Sequence, residues 1–501
     1  MKRDPEDELD HPAIKRSVPE RVAFGLLDLP QDLLEELTLY FRTSQAAKVI
    51  TVSSKFHDVF ARRIWRYLTT AVCAKCMLIP ASAWQRYGHL VRRLPYSLKL
   101  GSGIPLEHFT DIVHLSMFSS SLDTVFSQHI NTWHNLQHVK INYSDGYLDS
   151  KRVGFVTSWV KSALEREQRV KFEWIVKIVS HEKLHRLCMM VNDFAADGDG
   201  GGNDEMHSLV LVVQDLEYPA STNQLSDVAK LVKDLRFCNH KSFIRLLGSN
   251  SVVFPQLSNL KLNSHNISPD ATVEQLSRIV PDRFPSLQKV TLGYNSNRVS
   301  ADIPIFAHAW TSVTELVLDE CCDPKDILLG HIFKCFPNVI RLVFTKSRLL
   351  VEIGMLSAHL PLLQSLSFDS TSSDLDNVLG GDAVLPHLTE LSISWPSFSS
   401  TLTELQLECL SLALNCAPSL QSLKLLGCLF PKNILEIYEG RQNQKVRSLV
   451  ISSCADQEND ERIERLLQLF PNTRRLGLHT GGAENVAALK TKYPNLCVYR
   501  S

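Results

Sequence analysis

The sequence has almost no net charge. Its 53 Lys and Arg stand against 54 Asp and Glu, a formal net charge of -1. That balance gives no support for nucleic acid or a membrane surface as a generic partner. Long apolar runs are missing too, so no segment is expected to span a bilayer. Residues 1–10 are charged rather than apolar, so no secretory signal is expected. The 12 cysteines are scattered and form no small-domain disulfide pattern, which favours a reducing cytoplasmic or nuclear compartment. There is no Gly-rich phosphate loop and no Ser/His/Asp set at a recognisable spacing. No catalytic residue, no metal ligand and no cofactor is therefore expected. What remains is an ordinary globular composition, 44% hydrophobic and 21% charged, spread over 501 residues.

A short phrase recurs within that length. Phe254-Pro255-Gln256-Leu257 leads into Leu260 and Leu262, and Phe284-Pro285-Ser286-Leu287 into Val290 and Leu292. The phrase returns from Phe336, Leu360, Leu385, Ala417 and Phe470, each followed by Pro, and without the proline from Trp310 and Val446. The shared core is L-x-x-L-x-L at a period of roughly 26 residues, the range of leucine-rich repeats. The last two apolar positions lie two apart, so they point to one side of an extended strand and stack on the next repeat. Three residues beyond comes a small or polar position (His265, Asn295, Cys321, Ser347, Thr371, Cys428, Cys454) expected to turn the chain. Helix-like segments fill the intervals, as in 324–336 and 460–470. In the latter Ile463, Leu466, Leu467 and Phe470 share a helical face. The expected fold class is α/β: a solenoid of roughly sixteen repeats, a horseshoe with parallel strands on its concave face and helices on its convex face.

The phrase is fainter upstream, at Val91–Leu94, Ile112–Met117, Leu136–Ile141, Leu209–Leu211 and Val232–Phe237. The segment 153–168 reads as a long helix, and 170–180 as either one irregular repeat or part of a longer helix. Residues 1–22 read as a disordered arm, 23–70 as a compact unit of three helices, 71–90 as a helical linker and 91–501 as the repeat domain.

In the three-helix unit Leu29-Pro30 opens a helix in which Leu33, Leu37 and Phe41 recur at helical spacing. Then come Val49, Val52-Ser53-Ser54-Lys55-Phe56 and Ile64-Trp65. This order and spacing resemble an F-box. It departs from many members at Gln45-Ala46-Ala47 and at Ser54. The resemblance, followed by leucine-rich repeats, implies a substrate receptor of an SCF-type cullin–RING ubiquitin ligase. It implies a Skp-type adaptor, and through it a cullin, bound through Leu29, Pro30, Leu33, Leu37, Val52, Phe56 and Trp65. A helical cap on a solenoid, or a leucine-rich-repeat scaffold without ubiquitin chemistry, would share much of this text.

Three motifs look like chemistry. Cys73-Ala74-Lys75-Cys76 has zinc spacing but no second pair nearby. The acidic glycine run 197–204 suggests calcium but lacks the twelfth-position Glu of an EF-hand. His181-Glu182-Lys183-Leu184-His185 matches H-E-x-x-H, in which a helix places both His beside a general base. A zinc hydrolase is the reading that this motif alone would support, with Glu205 as a distant third carboxylate. Against it, Leu184, Leu187 and Met189 fit the repeat phrase, and the segment is expected to be a strand.

The expected protein-binding positions are those between the inward apolar residues, on the concave surface. They are Asn259, Lys261, Lys289, Glu315, Asp319, Arg341, Asp369, Glu390, Lys424 and Arg475, with Trp395 just past a strand end. A protein substrate on this face is the partner expected, with neither nucleic acid nor membrane.

Overall fold

The computed structural model describes residues 81–94, 106–118, 132–143, 170–196, 207–214, 216, 222–248, 251–264, 277–294, 306–320, 322–323, 326–346, 348–349, 352–369, 383–394, 410–426, 434–438, 440–451, 458–478 and 483–500, and farther forward only 33–34, 59, 61 and 65. The arm 1–22, Leu29, Pro30, Leu37, Val52, Phe56, Cys73, Cys76, the segment 153–168, the run 197–204, Glu205, Trp395 and the seven turn positions from His265 to Cys454 lie outside the described residues.

Sixteen strands form one parallel sheet whose order follows the chain strictly from first to last. They are β1 (Arg93–Leu94), β2 (His114–Phe118), β3 (His138–Tyr143), β4 (Lys171–Ile178), β5 (His207–Val213), β6 (Val232–Phe237), β7 (Asn259–Ser264) and β8 (Lys289–Tyr294). The second half comprises β9 (Glu315–Asp319), β10 (Arg341–Thr345), β11 (Ser365–Asp369), β12 (Glu390–Ser394), β13 (Ser422–Leu426), β14 (Ser448–Ile451), β15 (Arg475–Leu478) and β16 (Cys497–Arg500). Cys322–Asp323 and Arg348–Leu349 pair as a second, two-stranded sheet. One helix, α1 (Ala81–Tyr87), precedes the first strand, and others stand between strands: α2 (His181–Ala196), α3 (Thr222–Leu231), α4 (Asp326–Cys335), α5 (Ile353–His359), α6 (Glu458–Leu469) and α7 (Ala483–Lys492). A strand that returns through a turn and a helix to lie beside its predecessor, repeated without a crossover, is a solenoid. The chain is a leucine-rich-repeat solenoid.

The recurring phrase explains how each strand is entered. In Phe254-Pro255-Gln256-Leu257 the Leu257 amide donates to the Phe254 carbonyl at 3.3 Å. The same closure joins Leu287 to Phe284, Val339 to Phe336, Leu363 to Leu360, Leu388 to Leu385 and Leu420 to Ala417. This is a four-residue turn, and proline at its second position presets the φ that the turn needs. The following carbonyls then accept from two amides of the next repeat. Gln288 accepts from Thr314 and Glu315, and Thr314 from Ile340 and Arg341. Side chains staple the same edge: Ser286 Oγ donates to the Pro255 carbonyl at 2.6 Å, and Asn338 Nδ2 to the Thr311 carbonyl at 2.8 Å.

The inward side chains stack from repeat to repeat. Strands β2, β3, β4, β9, β10 and β12 alternate buried and open residues without a break. The phrase-initial aromatics form a spine: Phe254 and Phe284 stack with ring centres 5.6 Å apart, and Phe284 and Trp310 lie 5.3 Å apart. Phe306 then joins Trp310 edge-on to Phe336. One buried cation supports the spine. Arg283 is 5% exposed and donates to the Leu247, Val252 and Arg278 carbonyls, with its guanidinium over the Phe284 ring. Burial pulls its pKa down to about 10. The residues 81–90, read from sequence as linker, join this core through the buried Trp84.

Of the two alternatives open for 170–180, the repeat is the one seen: residues 171–178 are a regular strand. One reading of the sequence is corrected: residues 184–189, expected as a strand, lie within the helix α2. Leu184, Leu187, Cys188 and Val191 are buried while Met189 is 52% exposed, which is the spacing of a helical stripe and not of a strand. The sequence L-x-x-L serves both structures, and only the third apolar position tells them apart.

Two strand exits are described up to the residue before the expected turn position. After β9 and β10 the chain turns at Glu320 (φ 55°) and Lys346 (φ 51°), a left-handed conformation uncommon outside glycine. Both amides are satisfied across repeats, Glu320 by the Thr345 carbonyl and Lys346 by the Asp369 carbonyl, and the two side chains pair at 3.3 Å.

Candidate protein-binding face

Because the core takes every second strand residue, the others form rows across the open face of the sheet, one residue per strand. One row runs Asp234, Asn259, Lys289, Glu315, Arg341, Ser365, Glu390, Ser422, Ser448, Arg475 and Cys497. Six of the residues expected from sequence fall in it. Lys261 and Lys424 lie in the next row, with Arg236, Thr291, Val317, Val343, Ser367 and Ser392. Asp319 and Asp369 share a third row with Thr345.

The rows are not evenly charged. Over β6 to β9 the charges neutralise one another. Arg236 holds Asp234 at 2.6 Å, Lys289 holds Glu315 at 2.9 Å, and Lys261 reaches past β8 to Asp319 at 2.9 Å. Two small residues lie on the strand between. Thr291 is 8% exposed although it lies on the open face, and a Cβ at Gly293 would stand 2.9 Å from the Asp319 carbonyl oxygen. Farther along, Arg341, Asp369, Glu390, Lys424 and Arg475 are exposed, and among the described residues no ion pair engages them. Exposed pairs contribute little to stability, so the paired centre and the unpaired far end differ chiefly in the charge offered to a partner.

A polar cluster at the near end was not anticipated from the sequence. Arg93, His114, His138 and Lys171 are register partners on β1 to β4. The two imidazoles meet edge to face with centres 5.6 Å apart. Beside them Lys140 pairs with Glu173, and Glu173 also lies 3.7 Å from His138 Nε2. At the rim Arg92 holds Asp111 at 2.9 Å. Burial pulls both histidine pKa values down. Arg93 and His138 push His114 the same way; for His138, Glu173 opposes the shift while Lys140, Lys171 and Arg93 add to it. The signal was in the sequence as the alternation of 114–118, 138–143 and 171–178, but none of these strands is entered by the Phe-Pro phrase.

Only two adaptor positions lie among the described residues. Leu33 is 48% exposed next to the fully buried Leu34. The Trp65 ring packs edge-on against Trp84 at 5.1 Å and stacks on Tyr87 at 5.5 Å. That indole is thus used inside the chain, packed against α1.

The H-E-x-x-H segment is helical, which removes the objection from strand register. Its side chains do other work: Glu182 pairs with Arg186 one turn on at 2.5 Å, and the helix is held by the buried face of Leu184 and Leu187. Among the described residues no group of three His, Cys, Asp or Glu is placed to hold a metal ion. Among the same residues no helix is long and apolar enough to cross a membrane.

No family model matches the chain, and no curated protein matches it in sequence. Among solved structures it is similar to the mouse RP105/MD-1 complex, at 12% identity and a TM-score of 0.35 over 82% of this chain and 74% of that one. It is similar also to the APL1 leucine-rich repeat domain, at 9% identity and a TM-score of 0.24 over 78% of this chain and 72% of that one.

Proposed function

We propose that the chain is a protein-binding scaffold that presents a substrate to an SCF-type ubiquitin ligase. The observation that carries the binding role is the open face: the eleven strands β6 to β16 set one residue each side by side in a mostly polar row. Pre-formed surfaces of this kind suit a protein partner, because little order has to be imposed on binding. The F-box resemblance of residues 23–70 supports the second half of the reading, in which Leu29, Pro30, Leu33, Leu37, Val52 and Phe56 dock a Skp-type adaptor and, through it, a cullin. The chain then acts as a non-catalytic subunit, in the cytoplasm or nucleus. A scaffold outside the ubiquitin pathway would use the same face without the adaptor.

The test is co-purification. The full chain should retain a Skp-type adaptor, and Leu29→Ala with Pro30→Ala should lose it while the circular dichroism of the solenoid stays unchanged. Wild-type recovery of the adaptor by the double variant overturns the ligase reading and leaves the scaffold. Zinc measured on the same preparations would revive the H-E-x-x-H hydrolase only if it is stoichiometric and lost in His185→Ala.

A further inference from the structure

We propose that the near end of the open face, over β1 to β4, binds an acidic segment of a protein partner, and binds it more tightly as the pH falls. The inference rests on the open face being the binding surface and names the chemistry of its ligand. Four register partners, Arg93, His114, His138 and Lys171, stand side by side on adjacent strands. At roughly 4.8 Å per strand they span about 14 Å, the reach of four or five extended residues. Lys140 and Lys177 lie on the same face, and Glu173 is the carboxylate among these strand residues, engaged by Lys140 and His138. The charge here is therefore basic, unlike the self-paired centre over β6 to β9.

A carboxylate-rich segment fits this patch better than nucleic acid does. Proteins that hold duplex DNA commonly neutralise on the order of six to ten phosphates, and this patch offers fewer cations. The histidines supply the pH response. In the free protein the charged groups facing His114 are Arg93 and His138. Those facing His138 are Glu173, Lys140, Lys171 and Arg93. Burial and the surrounding cations disfavour the imidazolium forms, so both rings are neutral at neutral pH. Carboxylates laid along the row favour the charged forms, so binding takes up protons. By linkage, affinity then rises as pH falls through the histidine range, until the carboxylates of the ligand themselves protonate.

The probe is a fluorescein-labelled peptide of alternating Glu and Ser, titrated into the full chain by anisotropy at low ionic strength. A Lys-for-Glu peptide and a single-stranded oligonucleotide of equal charge serve as comparators. Binding of the Glu peptide should tighten about threefold to tenfold between pH 7.5 and 5.5, the scale of two added exposed ion pairs. His114→Gln with His138→Gln should lose the pH response, so that the ratio of affinities at pH 5.5 and pH 7.5 falls to about one. Arg93→Glu with Lys171→Glu should abolish binding at both values. Absence of Glu-peptide binding, an equal or stronger affinity for the oligonucleotide, or a pH response that survives the double His variant would each overturn the proposal. Adaptor co-purification on the same samples reports on the ligase reading separately. Capture of any identified partner by variants of Arg341 and Glu390 reports on the open face as a whole, so the failures can be told apart.

Discussion

Single positions on the open face carry more structural work than their polarity suggests. Lys261 lies across β8 to reach Asp319. Two residues on from its register partner Thr291, Gly293 is hemmed in by its neighbours on both sides: a methyl group there would meet the Asp319 carbonyl oxygen at 2.9 Å and Asn263 Oδ1 at 3.2 Å. Gly293→Ala is therefore expected to lower stability by ~1–3 kcal/mol, the usual cost of overpacking, although alanine is ordinarily the better strand residue. Chemical denaturation decides it, and a variant as stable as wild type would show that β9 does not approach β8 so closely at this point. Positions such as Lys261 and Glu315 were legible in the sequence as members of the open face, because strand alternation alone assigns them. Their pairing was not, because which charge meets which depends on the register between strands. Register therefore decides which of these charges a partner meets. The Lys261, Lys289, Glu315 and Asp319 charges are spent on one another, and those beyond Arg341 remain open.

Elements were legible wherever the phrase is complete. From β7 onward the strands fall where L-x-x-L-x-L puts them, because a tight turn, with proline in most repeats, fixes the entry and stacked apolar residues fix the face. Upstream, where the proline phrase is missing, the same apolar spacing permitted two structures, and the choice for 184–189 went wrong. The deciding term is the environment of one side chain. In a strand Met189 would be the third inward residue; in the helix α2 it faces out, beside a buried stripe of Leu184, Leu187, Cys188 and Val191. Met189→Lys should then change stability by no more than about 0.5 kcal/mol, as for an ordinary surface site. Leu187→Ala should cost ~2–5 kcal/mol. A large loss from Met189→Lys, read in the same denaturation experiment, would restore the strand.

At the scale of the whole molecule, a solenoid has no single centre. Each repeat touches its neighbours, so stability is close to a sum of repeat and interface terms, and damage should stay local. The aromatic spine is where that locality is best tested. The Phe284 ring stacks on Phe254 on one side and meets Trp310 on the other, so its removal opens two interfaces at once. Truncation of a buried phenylalanine costs ~3–5 kcal/mol. In a globular domain with one cooperative core that loss would appear everywhere. Here the strands next to the lesion should bear it, since β14 to β16 share no side-chain contact with Phe284 and lie five or more strands away in the sheet order. Hydrogen exchange followed by mass spectrometry on Phe284→Ala should show faster exchange in β7 to β9, with protection of β14 to β16 close to wild type. The basic patch over β1 to β4 lies on the other side of the lesion, so the acidic peptide should still bind if opening stops before it. Equal loss of protection in all sixteen strands would mean that the repeats unfold as one unit, and the nearest-neighbour account of this solenoid would have to be given up.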